Sequence, residues 1–200
     1  MTRPNLEQSA LRLLLIRHAQ PAIEPGLPAH QWRLSDEGRR QSARLAGRLA
    51  GYAPGLIVSS QEPKAIETAA ILAEALGAAH LTQADLGEHR RQRVSYQSPE
   101  AFLETLALFF ARPDDLVFGE ETARQAGDRF ARGVQTALQA CPQGCLAIAA
   151  HGTVISLFAA AASRTDPFPL WRSLGLPAVL VFSRPDLVLL EIIPSLEAAR

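Results

Sequence analysis

Short aliphatic runs punctuate the chain, and between them apolar residues recur at helical spacing. Leu11 to Ile16 is aliphatic apart from Arg12, the pattern of a strand covered on both faces as in a parallel sheet. After a loop rich in Pro and Gly, Ser35 followed by Asp36 and Glu37 predicts a helix start, with a side-chain oxygen for the free amides and acids that suit the dipole. That helix runs to about Ala50, with Ala43, Leu45, Ala46, Leu49 and Ala50 on one face and Arg39, Arg40, Arg44 and Arg48 towards solvent. Gly55 to Ser60 is a second buried strand, and Pro63 suits the first turn of a helix reaching Ala75. A third short strand is predicted around Ala79 to Thr82, then a polar surface loop from Asp85 to Gln97 that lacks periodicity. Ser98-Pro99 opens a helix to Ala111; another starts near Glu120 and reaches Ala140 on the pattern Ala123, Ala126, Phe130, Val134, Leu138. The run LAIAA at 146–150 is a strand, a helix follows Gly152, and the last aliphatic runs, split by Ser-Arg-Pro-Asp, predict a hairpin.

Strands alternating with helices predict an α/β fold: a three-layer α/β/α sandwich with a largely parallel sheet and an antiparallel C-terminal edge hairpin. The length of 200 residues suits one domain over 1–200, with a variable region at about 83–120. A 48% hydrophobic composition argues against disorder, and 20 basic residues against 20 acidic ones exclude nucleic-acid binding driven by net charge. Cys141 and Cys145 are too few for a disulfide framework or a zinc ribbon, so two thiols in a reducing compartment are expected. The apolar run before His18 is broken by Arg12 and Arg17 and is shorter than a secretory core, which predicts a cytoplasmic protein. Cys145 to Ser163 has no charged residue and approaches the length of a membrane span, but the His-Gly-Thr in its middle predicts a buried strand, a turn and a buried helix. No membrane partner is expected.

In open α/β sheets ligands bind beyond the carboxyl ends of the strands. Three such positions carry chemistry: Arg17-His18 after the first strand, Ser59-Ser60 with Lys64 after the second, and His151-Gly152 after LAIAA, where the following helix turns its free N–H groups to the same rim. Two imidazoles, two cations and a helix N-terminus suit a tetrahedral dianion, with fixed charge for its oxygens and a ring nitrogen able to attack phosphorus.

In these motifs the sequence resembles the histidine phosphatase superfamily, also called the phosphoglycerate-mutase-like family. Arg17-His18-Ala19 matches its Arg-His-Gly, LSDEGRRQSARLAGRLA resembles the segment that follows, Ser59-Ser60 with Lys64-Ala65 and Thr68-Ala69 fits the second motif, and His151-Gly152 the third. The matches span about residues 11 to 160. The resemblance implies phosphoryl transfer through a phosphohistidine on His18. Arg17 and Lys64 would hold phosphoryl oxygens, and His151, with Gly152 beside it, would add charge and hydrogen bonds. An acid from the variable region would serve the leaving group, Glu88 in DLGEHRR being the expected one and Asp85 the runner-up. A family Gly-Glu-Ser motif appears loosely in FGEETARQAGDRF: Gly119-Glu120 matches literally, while spacing to Arg129 favours Glu121-Thr122.

Two departures stand out. Ala19 replaces glycine, which negative φ accommodates. Lys64 replaces arginine and is the one lysine among 20 basic residues, and it offers a point charge where arginine offers a planar fork. It is either a weaker clamp, assisted by Arg90, Arg91 or Arg93, or the mark of a pocket that binds a phosphorylated ligand without turnover. His30, His80 and His89 are read as surface or loop residues, with His89 within reach of the pocket. No histidine or carboxylate pair has helical metal-ligand spacing, so no metal is expected, and no cofactor. The expected activity is hydrolysis of a small phosphate monoester. A non-catalytic phospholigand-binding or scaffold protein is the alternative, and a mutase or a phosphohistidine-protein phosphatase a further one. The apolar C-terminal hairpin leaves a homodimer open.

Overall fold

The computed structural model describes residues 11–195. Residues 1–10, part of the N-terminal stretch read for a secretory core, and 196–200 lie outside the described residues. Strands β1 (Arg12–Arg17), β2 (Leu56–Ser59), β3 (Ala79–Thr82), β4 (Leu146–Ala150), β5 (Ala178–Ser183) and β6 (Leu189–Ile193) form one sheet in the order β3-β2-β4-β1-β5-β6. The pairs β2–β3, β2–β4 and β1–β4 are parallel, whereas β5 runs antiparallel to β1, and β6 antiparallel to β5. Mixed order with the hairpin at one edge is what the sequence pattern predicts.

Helices α1 (Asp36–Leu49), α2 (Pro63–Leu76), α3 (Pro99–Ala111), α4 (Ala123–Ala140), α5 (Gly152–Ser163) and α6 (Pro167–Ser173) cover both faces. Because successive strand side chains point to opposite faces, the sheet feeds two cores. Leu14, Ile16, Ile57, Ala147, Ala149 and Val179 pack under Leu45, Leu49, Ala69 and Leu72 of α1 and α2. Leu13, Leu15, Val58, Ile148, Leu180 and Phe182 pack under Phe109, Phe130, Val134 and Phe158 of α3, α4 and α5. The stretch 145–163 resolves into β4, a turn at His151 and α5, and among the described residues no helix is long and apolar enough to cross a membrane.

Local signals set most boundaries. Ser35 and Ser98 accept the capping bonds of α1 and α3, and Pro63 opens α2. Helix α4 begins at Ala123 rather than near Glu120, because Thr122 and Gln125 close a reciprocal capping box there. The buried side of α1 carries Gln41 and Ser42, while Ala43 and Ala50 are exposed. Its neighbour on that side is the polar loop after β1, where Gln41 accepts the N–H of Gln20 at 3.0 Å. Helix α6 has no counterpart in the sequence reading: it is short, holds two prolines and shows no apolar period, and Asp166 caps it through the N–H of Phe168.

The N-terminus of α1 lies against this same loop. The N–H of Ser35 and its hydroxyl both donate to the Gln20 carbonyl, and a Cβ at Gly38 would sit 2.1 Å from that oxygen. Gly38→Ala is expected to destabilise the fold by about 1–3 kcal/mol through forced displacement of the loop. Gly47→Ala, in the same helix with open space at its Cβ, is expected to stabilise it by about 0.5–1 kcal/mol. Paired urea denaturation curves check both; equal effects at the two sites would refute the close-approach reading of Gly38.

Candidate active site

The parallel register of β1 on β4 pairs Arg17 with Ala150, so the next residues, His18 and His151, leave adjacent strands side by side. The ladder continues one step: the N–H of His18 donates to the Ala150 carbonyl, and that of Ser60, after β2, to the Ala149 carbonyl, both at 3.0 Å. The two imidazole rings lie 5.2 Å apart, inclined at 62°, and both residues are buried.

A carbonyl neighbour fixes the tautomer of His18. Nδ1 of His18 lies 2.8 Å from the Ala19 carbonyl, which can only accept, so Nδ1 carries the proton and Nε2 keeps its lone pair. Ser60 Oγ accepts the N–H of Glu62 and stands 2.7 Å from Nε2 of His151. Nδ1 of His151 has no protein partner. Burial, His151 and Lys64 push the His18 pKa well below 6.5, and burial with Lys64 does the same for His151. Both are therefore neutral at neutral pH. Ala19 is buried and is not among the residues with positive φ, as the missing glycine requires.

Arg17 lies over the start of α5. A Cβ at Gly152 would come within 3.0 Å of both Arg17 Nε and the Trp171 indole nitrogen, so only glycine leaves room. Arg17 Nη1 donates to the Leu174 carbonyl, and its guanidinium lies 5.6 Å from the centre of the Trp171 ring. Burial lowers its pKa to about 10, against the pull of Glu88 and with the push of Arg91, so it remains a cation.

Lys64 is buried at the start of α2, where Nζ donates to the Ala29 carbonyl at 2.8 Å and to Glu62 Oε2 at 2.5 Å. Glu62 is a residue the sequence analysis missed. Its other oxygen accepts the N–H of Glu88 at 2.8 Å and lies 3.4 Å from His151 Nε2. The signal was present: a carboxylate between Ser60 and Lys64 at a strand end that otherwise collects cations.

Of the two carboxylates considered in the variable loop, Glu88 lines the pocket and Asp85 does not. Glu88 Oε1 accepts the N–H of His89, and Oε2 that of Thr153 in the first turn of α5. Burial acts to raise its pKa, but Arg91, His151 and the His89 N–H outweigh burial and Glu62, and the net shift is downward. Arg129 holds the loop, donating from Nη1 to the Asp85 and Gly87 carbonyls and from Nη2 to that of Glu88. Its charge is met by buried Glu121, at 2.6 and 3.1 Å, which also accepts the N–H of Arg90. Glu120 is exposed and accepts the N–H groups of Gln92 and Arg93. With Thr122 as the cap, this is the Glu121-Thr122 register. Arg129 was legible as the charged residue on the buried stripe of α4, three positions after Ala126.

Among the loop arginines, Arg91 lines the pocket with one nitrogen unpartnered and its guanidinium 4.7 Å over Phe102. Arg90 also lines it but is largely exposed, and Arg93 does not line this pocket. His89 is no surface residue: it is buried against Phe109 and Phe118, with Nε2 on the Glu121 carbonyl. His80 meets Ser59 Oγ, and His30 sits at the pocket mouth.

The pocket measures about 480 Å³. Of the residues that line it, Arg17 Nε, Arg91 Nη1 and Thr153 Oγ1 are buried without partners, as is His89 Nδ1; His151, with Nδ1 also unpartnered, lies behind this lining. Buried donors are normally satisfied, and the three on Arg17, Arg91 and Thr153 around one pocket suit the oxygens of an anion. Among the described residues no group of three or more His, Cys, Asp or Glu side chains is placed to hold a metal ion.

A mixed α/β/α sheet with paired histidines beyond β1 and β4 defines a phosphate-handling class of fold. The profile of the histidine phosphatase superfamily (branch 1) matches residues 13–181, and the chain belongs to that family. Solved structures agree on the fold. A mycobacterial glucosyl-3-phosphoglycerate phosphatase with inorganic phosphate is 25% identical, covers 86% of this chain and 89% of its own, and has a TM-score of 0.63. An Entamoeba histolytica phosphoserine phosphatase in complex with 3-phosphoglyceric acid is 17% identical over 92% and 98% of the two chains, TM-score 0.73. Bacillus stearothermophilus YhfR is 19% identical over 90% and 94%, TM-score 0.73. No curated protein matches the chain by sequence.

Removing Arg129 strands the Glu121 charge and frees three carbonyls of the 85–88 loop. Arg129→Ala is expected to destabilise the protein by about 3–5 kcal/mol, the usual result of breaking a buried ion pair from one side. Arg129→Ala/Glu121→Ala is expected to be less unstable than the sum of the single changes. Thermal denaturation of the cycle checks this, and simple additivity would show the pair to be uncoupled.

Proposed function

We propose that the protein is a phosphatase that hydrolyses a phosphate monoester through a phosphohistidine on His18, with no metal or cofactor. The observation that carries this reading is the neutral, buried histidine pair beside a pocket lined by three unpartnered donors, on Arg17, Arg91 and Thr153. Nε2 of His18 attacks phosphorus as the bond to the leaving oxygen breaks, and the phosphoryl oxygens take the open positions on Arg17, Arg91, His151 and Thr153. Lys64 contributes charge from behind its pair with Glu62. In the second step water attacks phosphorus, the P–N bond breaks, and His18 regains its lone pair.

Glu88 is the proton donor to the leaving oxygen and then the base for water. It is ionised in the empty pocket, where cations dominate its surroundings. A bound dianion reverses that balance and raises the carboxyl, so the proton is acquired with the substrate. Glu62 positions both Lys64 and the Glu88 backbone, and Asp85, turned out of the pocket, takes no part. Free Cys141 and Cys145 support a reducing, cytoplasmic setting. The second reading, a phospholigand-binding protein without turnover, is favoured by one observation: Lys64 already commits two of its three N–H donors, to Glu62 and Ala29.

With an aryl phosphate, chelator-resistant turnover is expected, together with an acid-labile phosphoenzyme, and both vanish in His18→Ala. Turnover that survives in the variant refutes the assignment, whereas no turnover with phosphate-dependent thermal stabilisation selects the binding reading. Glu88→Gln is expected to slow poor leaving groups by about 10²–10⁴-fold, and good ones much less, as the loss of a general acid does. Rates measured across a series of leaving groups check this; a uniform loss would remove Glu88 from the proton path.

A further inference from the structure

Next to the phosphate pocket lies a second cavity of about 700 Å³ that the chemistry above leaves unused. Its lining differs in kind. Both of the chain's tryptophans, Trp32 and Trp171, reach it, with Tyr96, Phe102 and Phe118. Among the described residues no acidic side chain lines it. Ile23, Leu27 and Tyr96, exposed by 58, 42 and 52%, gather at this one place. Single apolar residues in solvent are ordinary, but several around one aromatic cavity mark a surface that a ligand covers.

The cavity is continuous with the phosphate end. Arg17, Trp32, Arg91, Phe102 and Trp171 line both spaces. Each of the two arginines lies near an aromatic ring of the cavity, Arg17 by Trp171 and Arg91 over Phe102, and these rings meet edge to face at 6.1 Å. The far side is also built. Trp32 donates its indole N–H to the Glu24 and Leu27 carbonyls, which fixes the loop carrying Pro25, Gly26 and Leu27 on the cavity wall. Tyr96 stands 6.4 Å from Trp32.

We infer that this cavity receives the leaving group of the substrate, and that the leaving group is an alcohol with an aromatic body. The inference rests on the phosphatase reading and adds the substrate class to it. A phosphoryl group on His18 presents its leaving oxygen to the rest of the pocket, and the continuous apolar space is where the attached body fits. Aromatic rings offer stacking and edge contacts to such a body. A small hydroxy-acid phosphate could bring its carboxylate to Arg93, which also lines the cavity, but would leave the aromatic walls wet.

The test compares 2-naphthylmethyl phosphate with ethyl phosphate, whose leaving alcohols have similar basicity, so the chemical step favours neither. The naphthylmethyl ester is expected to have a KM about 100-fold lower, in line with burial of a large apolar group. In Tyr96→Ala the ratio of the two kcat/KM values is expected to fall several-fold; being internal, the ratio is insensitive to partial misfolding. Titration calorimetry with the matching phosphonates measures the same preference without turnover. Tighter naphthylmethylphosphonate binding supports the cavity assignment even where neither ester is hydrolysed, a result that refutes only the phosphatase reading. Equal KM and equal affinity of the two phosphonates overturn the inference and leave the phosphatase reading standing. Hydrolysis of a phosphohistidine protein in preference to both esters also overturns it.

Discussion

The carboxyl end of β4 is the constraint on which the site depends. Ala149 and Ala150 give their carbonyls to Ser60 and His18, so the backbones that follow β2 and β1 are fastened at the rim to the strand between them, one residue before His151. Strand β4 is buried along its whole length, and its alanines leave room for neighbours on both faces. Side-chain chemistry here is placed by backbone hydrogen bonds, the least adjustable contacts in the fold. A shift of one residue in the β1–β4 register would exchange the two cores and separate the histidines in the same movement.

Electrostatics then divides the site into a fixed half and a supported half. The fixed half has Arg17, His18 and His151 on strand ends and the start of α5. The supported half is the 85–93 loop, which has little regular structure beyond one 3-10 turn. It is shaped from beneath, by Arg129 on three carbonyls and by Glu121 and Glu120 on the N–H groups of Arg90, Gln92 and Arg93. Charged groups aimed at backbone make a loop nearly as well positioned as a strand end. That is what lets Glu88 and Arg91 face the same pocket as His18.

The fold was legible because its signals are local. Ser35, Ser98, Pro63 and the small-residue run of β4 announce themselves by type and position, and the unbroken aliphatic run of β1 encodes two covered faces. The strand-end histidines, Arg17 and Lys64 were legible for the same reason. Asp85 and Glu88 were separable only by side-chain direction, which Arg129 sets from 41 or more residues away. His89 looks like a loop residue until Phe109 and Phe118 close over it. Helix α6 is silent in the sequence, yet it supplies Trp171 to Arg17. Glu62 was overlooked because strand-end carboxylates are common, and its importance lies in two contacts, to the Glu88 N–H and to His151, that only tertiary structure creates.

The lysine at position 64 and the carboxylate at 62 make sense together. A lone buried lysine beside two histidines and Arg17 would carry an uncompensated charge in a dry pocket, which is costly. Glu62 supplies the counter-charge and at the same time anchors the Glu88 backbone, so one carboxylate ties α2 to the variable loop. The cost is a cation half-neutralised before any phosphate arrives. Arg91 restores the balance from the other side, with a nitrogen unpartnered and its guanidinium resting on Phe102. Charge for the phosphate thus comes in part from a residue that also borders the aromatic cavity. Occupation of that cavity by an apolar body would desolvate Arg91 and strengthen its hold on the phosphoryl oxygens. Under the proposed function, recognition of the alcohol and stabilisation of the phosphoryl group would then act through one side chain.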